Sequence, residues 1–136
     1  VINPALIFLL PDILTKFLKF AVVGTSGLFI DFGTTYLLKE KAKINKYAAS
    51  AVGFTLAATS NYFLNRIWTF HSTNPQIFYE YSSFIIVSII GLGINTGVLW
   101  LLTKKTSLNF YISKAIATLV TVLWNFTANF IFTFNL

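Results

Sequence analysis

Four long apolar runs decide what this chain can fold into. They cover residues 17–38, 47–68, 81–102 and 111–132, separated by short polar segments at 39–46, 69–80 and 103–110. A bilayer core takes about 20 apolar residues of helix at 1.5 Å per residue, so each run is long enough to cross one. Connectors this short force antiparallel neighbours. The pattern predicts an all-α membrane protein, a compact bundle of four transmembrane helices, and not a barrel, whose strands would alternate polar and apolar residues. Composition points the same way. Charged residues make up 10 % of the chain and apolar residues 56 %, whereas a soluble domain carries about 25 % charge. So little charge could not cover a soluble monomer of this size.

The same scarcity narrows the chemistry. Four acids (Asp12, Asp31, Glu40, Glu80), one histidine and no cysteine leave no thiol nucleophile and no Cys/His zinc site. We therefore expect no enzyme, no cofactor and no metal. The net charge of +6 is spread over cations flanking the apolar runs, which fits membrane helices better than nucleic acid. Residues 1–16 precede the first run. Their apolar stretch 5–10 is below spanning length, and Pro11-Asp12 can open an interfacial segment with Lys16 and Lys19 at headgroup level. A poorly ordered lead-in is the alternative. The expected organisation is thus a lead-in or interfacial segment, 1–16, and a membrane domain, 17–136.

That domain contains itself twice. At an offset of 64 residues Phe20 falls on Phe84, Gly27 on Gly91, Gly33 on Gly97, Asn45 on Asn109, Asn61 on Asn125, Asn65 on Asn129 and Thr69-Phe70 on Thr133-Phe134. Matched Asn, Gly and Thr are hard to attribute to membrane composition. Repeat one is 17–70 and repeat two 81–134. Each holds two spans, so the copies start on the same side and are parallel repeats. Small residues at helical spacing, Gly53-Ala57-Asn61, Ala117-Thr121-Asn125 and Gly93-Gly97, read as packing seams.

The differences between the copies are more informative. Asn61 and Asn65 recur as Asn125 and Asn129, but Arg66 is replaced by Phe130. A buried amide in hydrocarbon needs partners, so all four Asn should face the bundle. Arg66 lies near a membrane exit on the side of Lys16, Lys19 and His71, and its planar fork of donors suits a phosphate. Lys16, Lys19, Asn61, Asn65 and Arg66 form the candidate phosphate-binding set. A snorkelling interfacial Arg beside Trp68 is the plainer reading. The second asymmetry is Asp31, an acid inside a span, matched by Asn95. Such an acid needs pairing or neutralisation. Lys114 is the candidate partner, Ser50 or Asn95 the neutral alternatives, and the role is either a structural tether or a coupling acid.

These residues resemble the GtrA family, which includes the membrane domain of some dolichol-phosphate mannose synthases. The resemblance rests on Phe17-Leu18-Lys19-Phe20 with Val23-Gly24 and Asp31, and above all on Asn61-x3-Asn65-Arg66-x-Trp68-Thr69-Phe70. It implies a small four-helix protein of the cell membrane that flips or binds a polyprenyl-phosphate-linked sugar for surface polysaccharide or glycan synthesis, or that seats a glycosyltransferase there. The alternatives are a passive scaffold and a proton-coupled transporter using Asp31. A homo-oligomer is expected, since four thin helices enclose little volume for a prenyl chain. Lysines crowd the first and third connectors, which by the positive-inside rule makes those loops cytoplasmic; the resemblance implies the reverse.

Overall fold

The computed structural model describes residues 3–134, without the side chains of Lys46, Tyr47 and Tyr111. Residues 1–2 and 135–136 of the two expected segments therefore lie outside the description. Four helices follow one another: α1 (Pro4–Tyr36), α2 (Lys46–Leu64), α3 (Ile77–Lys105) and α4 (Phe110–Ala128). No strand occurs among the described residues. Helices α1, α2 and α4 run on into five-residue π turns, Leu37–Lys41, Asn65–Thr69 and Asn129–Thr133. The chain divides into two units, 1–73 and 74–136. Each is a helical hairpin, α1 with α2 and α3 with α4, and the packing described below lies inside each.

The sequence supplies the stops and starts. Asn3 caps α1 by accepting from the Ala5 N–H (3.0 Å), with Pro4 at the first helical position. Asn45 and Asn109, matched by the offset, act alike: their Oδ1 atoms accept from Ala48 N–H (3.3 Å) and Ile112 N–H (2.9 Å). The first hairpin breaks its helices with left-handed residues, Lys43 (φ 58°) and His71 (φ 48°). These turn the chain so that Ile44 N–H reaches the Leu38 carbonyl (2.9 Å) and Ser72 N–H the Arg66 carbonyl (2.8 Å).

Two boundaries differ from the sequence reading. Helix α1 starts at Pro4 and carries Pro11 inside it, so the lead-in is continuous with the first apolar run. The Asp12–Lys16 ion pair (3.2 Å), one turn apart, supports the helix just past the proline. Helix α3 starts at Ile77, inside the segment read as a connector. Two segments among the described residues have the length and apolarity to cross a membrane, Ile77–Lys105 and Ile112–Thr133. The first run shares its helix with Asp12, Lys16, Lys19 and Asp31, and α2 is diluted by Ser50, Thr55, Thr59, Ser60 and Asn61.

Within each hairpin the helices meet through aromatic and small residues. Phe20 and Phe70 pack edge to face, centroids 6.4 Å apart; Phe84 and Phe134 do the same at 6.2 Å. Val23, Tyr62, Val87 and Phe126 are buried beside them. Three glycines allow the closest approaches. A Cβ on Gly27 would stand 2.5 Å from Asn61 Oδ1, and Gly91 meets Asn125 in the same way. A Cβ on Gly53 would stand 2.5 Å from Thr35 Oγ1 and 2.7 Å from the Asp31 carbonyl oxygen. Within the second hairpin nothing lies within 4 Å of the place a side chain would take on Gly93 or Gly97, and Gly91 does the packing there. Most large apolar side chains outside these contacts are exposed, as lipid-facing residues are.

The glycines should therefore separate by substitution. Gly53→Ala presses on main-chain oxygen of α1, which cannot rotate away, and should cost about 1–3 kcal/mol. Gly24→Ala and Gly33→Ala, where nothing lies within 4 Å, should be neutral or stabilise by up to about 1 kcal/mol through helix propensity. Thermal unfolding of the purified variants in one detergent gives the comparison. A Gly53→Ala protein as stable as Gly24→Ala would mean that the α1–α2 approach is not needed.

Candidate functional site

The π turn at the end of α2 organises the first hairpin's polar end. Its wider winding is closed by Phe70 N–H donating to the Asn65 carbonyl (2.8 Å). Asn65 is turned inward, 1 % exposed, and its Oδ1 accepts from the Thr69 hydroxyl at 2.7 Å. Arg66, next in the chain, is half-buried and donates from Nη1 to Ser72 Oγ (3.3 Å). Lys19 comes across from α1: its Nζ donates to the Trp68 carbonyl (3.4 Å) and lies 5.3 Å from the Trp68 ring centroid. The structure thus attaches Lys19 and Arg66 to one turn. A helix C-terminus carries partial negative charge on its open carbonyls, and these two cations offset that charge.

The remaining candidates are placed differently. Lys16 lies one turn before Lys19 and is paired with Asp12. Asn61 packs on Gly27, and its Oδ1 is buried without a hydrogen-bond partner. Asn61 and Asn65 therefore line the helix interface, which satisfies the expectation that they face inward and removes them from the solvent side of the turn. Asp31 has Thr35 as its hydrogen-bond partner, the hydroxyl donating to Oδ1 at 3.3 Å, with both residues crowding Gly53. Ion pairs among the described residues include Lys16–Asp12 and Lys39–Glu40. Lys114 is exposed on α4, and Asp31 sits with Thr35 at the α1–α2 seam.

The second hairpin repeats the turn without the charge. Phe134 N–H donates to the Asn129 carbonyl (2.8 Å), the Thr133 hydroxyl to Asn129 Oδ1 (2.7 Å), and Asn129 Nδ2 to the Asn125 carbonyl (2.8 Å). Asn125 Oδ1, like Asn61 Oδ1, is buried and unpartnered. A glycine α-hydrogen facing an amide oxygen is a weak donor, and its recurrence in both hairpins fits that kind of contact. Phe130 and Phe132 stand where Arg66 and Trp68 do, and in place of Lys19 is Ser83, hydrogen-bonded to Thr133 (2.8 Å). Beside this turn lies a groove of about 400 Å³ lined by Tyr79, Ser82, Ser83, Ile86, Trp124 and Phe132 among others.

Some residues escaped the sequence reading. Glu80 is buried, 2 % exposed, in the first turn of α3. An acid there is favoured by the helix dipole, and a helix start at Ile77 would have flagged it. The Trp124 indole donates to the Val87 carbonyl (3.1 Å), tying α4 to α3; no spacing rule points to that bond.

The GtrA/DPMS transmembrane-domain family is matched over residues 19–134. An uncharacterized membrane protein of Bacillus subtilis, YngA, is 29 % identical over 117 residues, covering 86 % of this chain and 78 % of that protein. A second from the same organism, YwcD, is 21 % identical over 113 residues, covering 81 % and 89 %. A dolichol-phosphate mannosyltransferase of Pyrococcus furiosus is 32 % identical over 88 residues, covering 64 % of this chain and 25 % of the enzyme.

The two π turns make unequal demands on their threonines. Thr69→Val leaves the Asn65 amide oxygen buried and unpaired, at a cost of about 1–3 kcal/mol. Thr133→Val removes the partner of both Asn129 and Ser83 and should lower the unfolding temperature further. An order reversed between the two variants would show that the hydroxyls do not hold the turns.

Proposed function

This chain belongs to the GtrA/DPMS transmembrane-domain family, and from that premise we propose that it binds a polyprenyl-phosphate-linked sugar and carries it across the membrane for glycan synthesis. It is a membrane protein, as its family and its relatives are. The proposal has α1 and α2 spanning as well as α3 and α4, the two hairpins being parallel copies of one unit. In that reading Arg66 and Lys19, fixed on the turn of the first hairpin, hold the phosphate at a membrane exit. Trp68 beside them suits the interface. The prenyl chain lies along apolar surface such as the groove at Ile86 and Trp124. The protein acts without catalysis or cofactor, and as a homo-oligomer, for which Gly93 and Gly97 leave an open small-residue face. The observation that carries the reading is the asymmetry of the two turns: similar windings, with cations attached to one and hydroxyl and phenyl groups on the other.

A second reading has the chain seat a glycosyltransferase. The Pyrococcus mannosyltransferase favours it, because the matched portion is a quarter of a much longer protein. The two readings part on activity in vesicles holding this protein alone. Flipping of the lipid supports translocation; binding without flipping leaves the scaffold.

If Arg66 holds the phosphate, Arg66→Ala should weaken polyprenyl-phosphate binding by about 1.5–3 kcal/mol, the size of a charged hydrogen bond. Arg66→Lys should recover part of that, since a point charge replaces a planar fork. Binding to protein in nanodiscs measures both. Equal affinity of wild type and Arg66→Ala rules the assignment out.

A further inference from the structure

Helix α1 is too long for its partner. It runs for 33 residues, about 50 Å at 1.5 Å per residue, against a bilayer core of about 30 Å. Tilt does not absorb the excess: 50 Å across 30 Å needs more than about 50°, beyond the usual range of 0–40°. The pairing with α2 also fixes where the excess lies. Contacts run from Thr35 and Asp31 at Gly53, through Gly27 at Asn61, to Lys19 at Trp68. Residues 4–18, about 22 Å of helix, continue beyond the end of α2. They also lie outside the family match, which begins at residue 19.

This extension has two parts. Asp12, Thr15, Lys16 and Lys19 fall at i, i+3, i+4 and i+7, one polar stripe on an otherwise apolar stretch. Residues 5–10 have no polar side chain, and Leu6, Ile7, Phe8, Leu9 and Leu10 are each half exposed or more, Phe8 at 83 %. So much apolar surface does not stand in water, and six residues are far too few to span. Between the two parts is Pro11, which has no N–H to offer the Ile7 carbonyl and marks the place where a helix bends.

We infer that residues 4–18 form a lipid-surface arm. Residues 12–18 cross the headgroup layer, with Asp12 and Thr15 exposed and Lys16 half-buried against the hairpin's end. Residues 4–10 turn at Pro11 and lie at the boundary between headgroups and acyl chains of that same leaflet, a depth that buries apolar side chains without spanning. The inference rests on the reading that the first hairpin spans the membrane. The arm would hold the end of α1, and with it Lys19, at the headgroup level where the proposed phosphate sits.

The chain has no cysteine, so single spin labels can be placed without background. The full chain is reconstituted in phosphatidylcholine–phosphatidylglycerol vesicles with one label at Leu6, Phe8, Leu10, Leu14 or Lys16. Access to oxygen and to a water-soluble nickel chelate gives depth. We expect labels at 6, 8 and 10 at one common depth, about 5–10 Å below the phosphates, and a nickel-accessible label at 16. Pro11→Ala should straighten the arm and raise nickel access at 6 and 8 several-fold. A steady depth gradient from 14 to 6, nickel access at all of 6, 8 and 10, or dipolar broadening showing a second copy against the arm would each overturn the inference. Unchanged depths in Pro11→Ala would overturn the hinge. Labels at Leu28 and Val52 report separately on the hairpin: oxygen access there with a failed arm leaves the spanning reading standing, and nickel access there removes it.

Discussion

Helices in lipid gain little by hiding leucine from leucine, because the tails are as apolar as the side chains. What remains is close contact and the satisfaction of polar groups, and both hairpins depend on these at the same kinds of place. Glycine lets the backbones approach at Gly27, Gly53 and Gly91, and an amide or hydroxyl sits in the space so gained. The asparagines that cross the seam are then committed. Asn65 and Asn129 spend their amide oxygens on threonines one turn on, and the helix widens into a π turn around them.

That commitment explains why the polar end of the first hairpin has a division of labour. Residues turned into the seam hold the winding; those turned out, Arg66 and Trp68, are carried by it, and Lys19 joins them from the other helix. The second hairpin keeps the inner set and changes the outer one, with Phe130 and Phe132 at the positions of Arg66 and Trp68. The second hairpin thus closes its turn without the charge that the first one carries.

The helices were legible in the sequence because apolar runs of spanning length leave few alternatives. Their ends were less so. Pro11 and its polar neighbours read as a break, whereas the helix passes through with Asp12 and Lys16 paired beyond it. The inward turn of Asn61 and Asn65 followed from the cost of an unpaired amide. The π winding did not, since it depends on a threonine hydroxyl reaching a particular oxygen. Asp31 shows a different blind spot. The spacing pointed to Lys114, Ser50 or Asn95 as partners, and within its own helix Asp31 also accepts from the Thr35 hydroxyl one turn on. Gly93 and Gly97 carry the same spacing as a real seam and have open space around them, because spacing gives a face and not what stands against it.

A π turn is an α-helical turn with one residue too many, so it can be read as a record of an insertion. The turns at 65–69 and 129–133 stand 64 residues apart and are closed by the same pattern of bonds. If the hairpins are copies of one unit, the extra residue was in that unit before it was copied. The wider turn then predates the copying, and the two hairpins diverged in what they display after they had already agreed on how to end.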